Sequence, residues 1–406
     1  MQQDCFMSIE APALEAVVLP QNEADLPTEH PLEATPKGRN LLLRAFAGIG
    51  SVLEWLCGAL TLTVTLAVLS VIPILNFLSL GYLLDASGRV ARTKRLRAGF
   101  IGVRKAAVFG RIVVGAWLIL WPARFILSME KDAKLIADGS AVVRGWRIAF
   151  FIFATLSIVH IMWACLRGGK LRHFLWPAPI RFIKWLRTSG KLESIRKGIV
   201  DYVAGLRIGH YFRLGAFGFI GGVMWLAIPV GLLIVGAFLP PAGGFLLALP
   251  GGGLLFLVAL YLPFIQTHYA VENRFGAMFE LGRVRQLFRQ APIAFWTALF
   301  ITLLFSLPLY LLKIEFPPRE IAWLPSLFFV AFIFPARLLT GWAMGRALKR
   351  ELPRHFIFRW LARLSVIPVA GFYVLIVYLT QYLSWHGAFS LIEQHAFLVP
   401  SPLLSL

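Results

Sequence analysis

Seven polar residues stand inside or beside long apolar stretches of this chain, and they are its best candidates for chemistry. A charged or imidazole side chain among apolar neighbours is costly unless it faces a cavity, a partner or water. An arginine there could hold an anion, a histidine could relay a proton, and an aspartate four residues before an arginine could pair with it. The candidates are Asp85, Arg89, Arg124, His160, Glu272, Arg274 and Arg337.

Each candidate also has a plain structural explanation. Arg337 lies about eight residues from one end of its apolar stretch, so it either pairs inside a helical bundle or extends toward the interface. Arg124 is nearer to an end, which favours extension. His160 fits a satisfied structural histidine better than a proton relay. Glu272 and Arg274 follow an apolar stretch, where they could cap a helix and lie at the interface.

The sequence patterns that usually accompany catalysis, metal binding or cofactor binding are absent. The chain contains no GxxxxGK[ST], HExxH or GxSxG pattern, and Gly168-Gly169-Lys170 is followed by Leu171 instead of a hydroxyl residue. Its cysteines, Cys5, Cys57 and Cys165, form no metal-ligating spacing. We therefore expect no catalytic residues, no metal, no cofactor and no enzymatic activity.

The apolar stretches themselves indicate a membrane protein. The 406 residues are 58% hydrophobic and 15% charged, whereas a soluble domain is about 45–50% apolar with about a quarter of its residues charged. Apolar runs of roughly 20 residues recur, the length that a helix needs to cross a hydrocarbon core of about 30 Å. Backbone groups in that core must pair within their own segment, as they do in a helix. We predict an all-α fold, a polytopic transmembrane helical bundle.

The predicted membrane domain covers residues 45–385. Its first span, 51–71, is followed by a broken return segment, 73–90, because Pro73 removes a helix hydrogen bond and clashes with the preceding turn. The other predicted spans are 112–129, 148–166, 214–239, 245–266, 293–312, 321–345 and 365–385. Residues 1–44 are predicted to form a disordered acidic tail, since residues 1–36 hold seven acids and five prolines. Residues 386–406 form a short second tail.

Positive charge alternates between the two ends of these spans. The loops 86–111, 167–213, 267–292 and 346–363 hold 29 lysines and arginines, and the loops at the opposite end hold 6. We call the first set the basic end. The positive-inside rule predicts that the basic end is cytoplasmic, with the N-terminus inside and the C-terminus outside. Short basic blocks between spans favour anionic lipid headgroups as partners and disfavour nucleic acid, which would need one continuous patch.

This topology makes a direct prediction. A phosphatase reporter fused after Leu406 should be active, because that enzyme works only on the outer side of the membrane. An inactive phosphatase together with an active cytoplasmic reporter at the same position would contradict the orientation.

The basic loops also contain amphipathic stretches. In the basic region 167–213, residues 180–187 and 192–213 place cations on one helical side and apolar residues on another, and residues 354–364 are similar. Such helices either lie in the membrane interface with cations toward headgroups, or pack against the protein's own loops. Both interpretations stay open at this point.

Two short motifs resemble a family of polytopic bacterial membrane proteins of unknown function. One is a GlyTyr step after the proline-broken first span, within 81–97, and the other is TyrAla-x-Glu-x-ArgPhe, within 268–281. The resemblance would cover roughly 45–350, while the basic insertion 167–213 and the last span lie outside the pattern. It implies a multi-pass architecture in the bacterial inner membrane, and it implies no activity.

The sequence also hints at an internal repeat. Residues 121–125 resemble 334–338, and the glycines of 81–89 resemble those of 341–346. The spacings differ between the copies, so a repeat is a hypothesis to compare with the fold.

Two functions remain open from the sequence. The missing catalytic patterns, the basic interfacial helices and the acidic tail favour a non-enzymatic scaffold, assembly or regulatory protein with a possible protein partner. The broken spans and buried arginines favour a transporter or lipid-handling protein for an anionic substrate. A polar cavity reaching Arg337 would support the transporter.

Overall fold

The computed structural model describes residues 41–186, 191–311, 323–383 and 387–393. These residues form α-helices and short 3-10 turns, with no β-strand among them. Seven helices are long and apolar enough to cross a membrane, or eight if one bent helix pair is a single span. The predicted all-α polytopic bundle is therefore confirmed. Most of the predicted acidic tail, and the C-terminal tail beyond 393, lie outside the described residues.

The helices are numbered in chain order. They are α1 Leu41–Val71, α2 Asn76–Thr93, α3 Val103–Ile136, α4 Ala141–Leu166, α5 Leu171–Leu175, α6 Pro179–Leu186, α7 Lys191–Ala204, α8 Ile208–Ala237, α9 Pro241–Glu272, α10 Leu281–Gln290, α11 Pro292–Leu311, α12 Trp323–Ala347, α13 Phe356–Leu383 and α14 Ser390–Glu393. The bent pair is α10 with α11, which meet at 112°.

The predicted break in the first apolar stretch is present, and the helix after it forms the centre of the bundle. Helix α1 ends at Val71, two residues before Pro73, and α2 starts at Asn76. Most side chains of α2 are buried, including polar ones such as Ser79 and Asp85. Helices α8, α9 and α12 surround α2, so this short helix organises the bundle and faces little lipid.

Glycines allow the neighbouring helices to approach α2 closely. A Cβ on Gly81 would lie 1.8 Å from the backbone oxygen of Tyr211, and a Cβ on Gly215 would lie 1.9 Å from the backbone oxygen of Phe77. Helix α12 makes a similar approach at Gly341, where a Cβ would lie 2.3 Å from a backbone oxygen of α2. Small residues at such crossings let membrane helices pack backbone to backbone.

Helices α2 and α9 end in the same backbone conformation, at positions other than the segments whose sequences resemble each other. Helix α2 ends in a left-handed residue, Lys94, followed by extended Arg95, and α9 ends in left-handed Asn273 followed by extended Arg274. A 3-10 turn then follows in each case, Leu96–Gly99 and Phe275–Phe279. The glycines of 81–89 and 341–346, which suggested a repeat, instead lie in two helices that pack against each other.

Several helices extend beyond the predicted apolar spans. Helix α13 begins at Phe356, where the sequence predicted a span from 365, so most of the amphipathic stretch 354–364 is the first part of this long helix. These residues include no glycine or proline after Pro353, so the helix continues without a break into the apolar stretch. Similarly, α3 covers Val103–Ile136 instead of 112–129. The amphipathic region 167–213 forms α5, α6, α7 and the start of α8.

Candidate functional site

Asp85 forms the centre of an ion-pair cluster at the basic end of α2. Its carboxylate lies 3.0 Å from Nε of Arg89 and 3.3 Å from a terminal nitrogen of Arg92, and His210 Nε2 is 3.9 Å away. Arg92 also donates hydrogen bonds to the carbonyls of Ala270 and Val271, in the last turn of α9. Cations are favourable at a helix C-terminus. The expected pair of Asp85 with Arg89 is present, and the cluster joins α2 to α9.

Arg337 lies inside the bundle and not at the interface. It is 3% exposed, and its guanidinium donates a 2.6 Å hydrogen bond to the side-chain oxygen of Gln266, which is fully buried. The Gln266 amide in turn donates to the carbonyl of Gly218 at 3.3 Å. These contacts connect α12, α9 and α8. The cavity beside Arg337 has a volume of about 10 Å³, which is room for about one water molecule.

The other sequence candidates are scattered over the molecule. Arg124 is exposed on α3 and Glu272 is exposed at the end of α9, and neither has a side-chain partner among the described residues. His160 Nε2 lies 2.7 Å from the carbonyl oxygen of Phe174, so it ties α4 to α5 as a structural histidine would. The structure therefore does not bring the seven candidates together into one site.

Arg274 and His268 both contact the carboxylate of Glu280, a residue that was not among the sequence candidates. The Arg274 guanidinium bonds to the Glu280 carboxylate, whose other oxygen lies 2.8 Å from Nε2 of His268. The hydrogen bonds from His268 and then Arg274 lower the pKa of Glu280. Because Glu280 immediately precedes α10, these contacts fix the position from which that helix starts.

A groove between α9, α10, α11 and α13 lies at the basic end. Its volume is about 430 Å³, and aromatic and aliphatic side chains form most of its wall. The aromatic residues include Tyr261, Phe288 and Trp296. The indole N–H of Trp296 is buried and has no acceptor among the described residues.

Three arginines complete the wall of this groove: Arg285, Arg289 and Arg363. Arg285 Nε donates to the Tyr261 hydroxyl at 3.1 Å, and its guanidinium lies 5.6 Å from the centre of that ring. The Arg363 guanidinium lies 5.8 Å from the Phe288 ring. None of the three lies within 4.0 Å of a carboxylate of the described residues. The groove thus combines an apolar wall with three positive charges that lack an acidic partner in the described chain.

Most of the groove lies in a region with a recognisable family likeness. Residues 193–314 match the model of a family described as "Protein of unknown function (DUF4013)". The match includes the motif within 268–281 and three of the four groove helices, and the motif within 81–97 lies outside it. It also includes residues 193–213, part of the basic region 167–213 that was expected to lie outside the family pattern. Comparison with curated proteins and with solved structures gives no match. The expected resemblance to a family of unknown function is confirmed, so any function must be argued from the groove.

The groove arginines were not among the sequence candidates, because they lie in the basic segments between the apolar stretches and not within an apolar stretch. Arg285 and Arg289 are four residues apart, a spacing that places both on one side of a helix. This spacing is visible in the sequence, next to the apolar Val284 and Leu287 that α10 buries. Nothing local connects Arg363 to them, because it comes from α13.

Proposed function

We propose that this protein is a non-enzymatic, multi-pass membrane protein that binds an anionic lipid in the groove of its basic end. The carrying observation is the set of three arginines without acidic partners on an apolar groove. Basic pockets between membrane helices suit lipid headgroups, while apolar walls suit acyl chains. Tryptophan and tyrosine favour the interface where these two parts of a lipid meet.

The orientation of the protein supports this assignment. We place the basic end in the cytoplasm of a bacterium, at the inner membrane, with the C-terminus outside. Anionic lipids in the facing leaflet attract basic segments by about 1 kcal/mol per lysine or arginine near the surface. The groove would then draw its lipid laterally from the cytoplasmic leaflet.

The groove favours lipid binding over the other functions that the sequence suggested. Transport past Arg337 would need a polar path, and the cavity there holds about one water molecule. An enzyme would need a nucleophile or an acid–base pair, and the described side chains that line the groove are aromatic, aliphatic and arginine. A scaffold role that depends on residues 1–36 concerns residues outside the described chain and stays a prediction.

Native mass spectrometry of the protein released from lipid nanodiscs tests the proposal. The nanodiscs contain phosphatidylcholine with a minor fraction of an anionic phospholipid. We expect the wild-type protein to retain the anionic lipid at fixed stoichiometry. Replacing Arg285, Arg289 and Arg363 together with glutamine should weaken retention by about a hundredfold, given about 1 kcal/mol per arginine.

A matched variant controls for net charge. The substitutions Arg104→Gln, Arg196→Gln and Arg283→Gln remove the same charge from exposed positions that do not line the groove. This control should lose much less lipid than the groove variant, because it reduces only the general attraction of the basic surface and leaves the groove arginines in place. Equal loss of lipid in both triple variants would show that only the overall charge matters, and the groove would no longer be the binding site.

A further inference from the structure

The three arginines line one groove, and two of them lie against different aromatic rings of its wall, Arg285 against Tyr261 and Arg363 against Phe288. Arg285 and Arg289 precede and follow Phe288 on α10, and the positions 285, 288 and 289 lie on one side of the helix. Arg363 reaches the same ring from α13, with its guanidinium 5.8 Å from the ring centre. All three positive charges therefore line one groove with a volume of about 430 Å³.

This arrangement is unfavourable without an anion. Like charges four residues apart on a helix destabilise it by about 0.2–0.5 kcal/mol. The loop between α12 and α13 adds further cations nearby, since the Arg354 backbone N–H donates to the carbonyl of Arg289 and the Arg350 side chain donates to the carbonyl of Gln290. Glu351 is the acid of that loop, and it forms no ion pair with the groove arginines. One negative charge would leave much of this positive charge uncompensated.

Anionic headgroups that could bind beside the three groove arginines differ in their phosphate chemistry. A phosphate monoester carries about −1.5 to −2 charges at pH 7 and offers three strong acceptor oxygens. A phosphate diester carries one charge on two free oxygens. Arginine binds phosphate through two parallel N–H groups, so three guanidiniums can share the three oxygens of one monoester.

We infer that the groove selects a lipid whose headgroup is a phosphate monoester over lipids whose phosphate is a diester. This inference rests on the proposed function and adds the class of headgroup. It concerns a lipid and not free phosphate, because the wall around the three arginines is largely apolar.

The pH dependence of binding gives a signature that charge alone does not. The second pKa of a phosphate monoester is about 6, so the headgroup gains charge between pH 5.5 and pH 8. Arginines stay charged over this range, so binding of a monoester lipid should strengthen with rising pH. Binding of a diester lipid should not strengthen, because its charge is constant.

Other titratable groups near the groove do not imitate this signature. A protein group that titrates near the groove would change the binding of the monoester lipid and of the diester lipid alike, so comparing the two lipids at both pH values separates its effect from that of the headgroup. The charged and titratable groups on the elements around the groove and on the loops between them are Tyr261, His268, Tyr269, Glu272, Arg274, Glu280, Arg283, Arg285, Arg289, Tyr310, Lys349, Arg350, Glu351, Arg354, His355, Arg359, Arg363, Tyr373, Tyr378 and Tyr382.

The test compares three lipids in phosphatidylcholine nanodiscs by native mass spectrometry at pH 5.5 and pH 8.0. The lipids are phosphatidic acid as the monoester, phosphatidylglycerol as a diester and cardiolipin as a double diester. At pH 8.0 we expect phosphatidic acid to be retained about tenfold more tightly than phosphatidylglycerol, the gain from about one additional charged contact. This advantage should shrink severalfold at pH 5.5, and it should vanish when the three groove arginines are replaced.

The possible outcomes separate this inference from the proposed function. Equal, arginine-dependent retention of phosphatidic acid and phosphatidylglycerol, or a preference for cardiolipin, would overturn monoester selectivity and leave lipid binding standing. If no anionic lipid shows retention that depends on the three arginines, both the monoester selectivity and the proposed lipid binding are wrong. A further sample receives inorganic phosphate. If millimolar phosphate displaces the bound lipid, the site recognises phosphate alone and the assignment to a lipid fails.

Discussion

Replacing Gly215 with alanine is expected to prevent normal assembly of the bundle. The added Cβ would lie 1.9 Å from the backbone oxygen of Phe77 and 2.8 Å from the backbone nitrogen of Gly81, so α8 and α2 would have to separate. Helix α2 has little freedom to move, because α9 and α12 pack on its other sides. Overpacking usually costs about 1–3 kcal/mol, and a clash with backbone belongs at or above the upper end of that range.

Helix α8 provides its own control for this substitution. Gly231 lies on the same helix, and a Cβ there would meet no atom within 4 Å. Gly231→Ala should leave the protein unchanged or slightly more stable, since alanine favours a helix by about 1 kcal/mol over glycine. The measurement is the apparent melting temperature and the yield of monodisperse protein in mild detergent. If the Gly215→Ala variant has the same apparent melting temperature as the wild type, α2 and α8 do not approach each other as closely as described.

The parts of this fold that depend on local composition could be predicted from the sequence. Apolar length is a local property, so the spans and the break at Pro73 follow from the residues themselves. The helix ends could not be found in this way. Helix α3 begins at Val103, and α13 begins at Phe356, because both helices continue through amphipathic turns that a search for apolar runs leaves out.

The role of α2 shows a second limit of composition. The segment after Pro73 was predicted to be a broken return segment, and that prediction does not place it at the centre of the bundle. Its serines and its aspartate are buried because α8, α9 and α12 enclose it and glycines bring their backbones close. Burial of this kind is set by partner helices distant in the chain, which no local pattern identifies.

The candidate site depended even more on tertiary contacts. A single polar residue in an apolar run is conspicuous, which is why Asp85 and Arg337 could be selected from the sequence. Their partners Arg92 and Gln266 were not selected, and the groove arginines look like ordinary positive-inside residues until α10 and α13 come together. Sequence patterns thus identify single polar residues within apolar stretches, and they do not identify the groove that the three arginines line.

Replacing Gln266 with leucine is expected to destabilise the bundle more than replacing Gln266 and Arg337 together. Gln266→Leu removes the acceptor of a 2.6 Å hydrogen bond from a buried arginine. Losing one partner of a buried bond to a charged group costs about 1–3 kcal/mol, whereas replacing both partners with apolar groups can be nearly neutral. The double variant Gln266→Leu with Arg337→Met should therefore recover part of the loss in apparent melting temperature.

The comparison needs a glutamine outside the core and a readout at the groove. Gln286→Leu serves as the control, because Gln286 is exposed and bonds to Arg283 on the surface of α10. It should melt with the wild type. Below their melting temperatures, the single and the double variant should retain lipid through the three groove arginines as the wild type does. The reason is that neither Gln266 nor Arg337 lines the groove. A double variant that loses more stability than the single one would contradict the coupling, and Arg337 would then owe its place in the bundle to contacts other than Gln266.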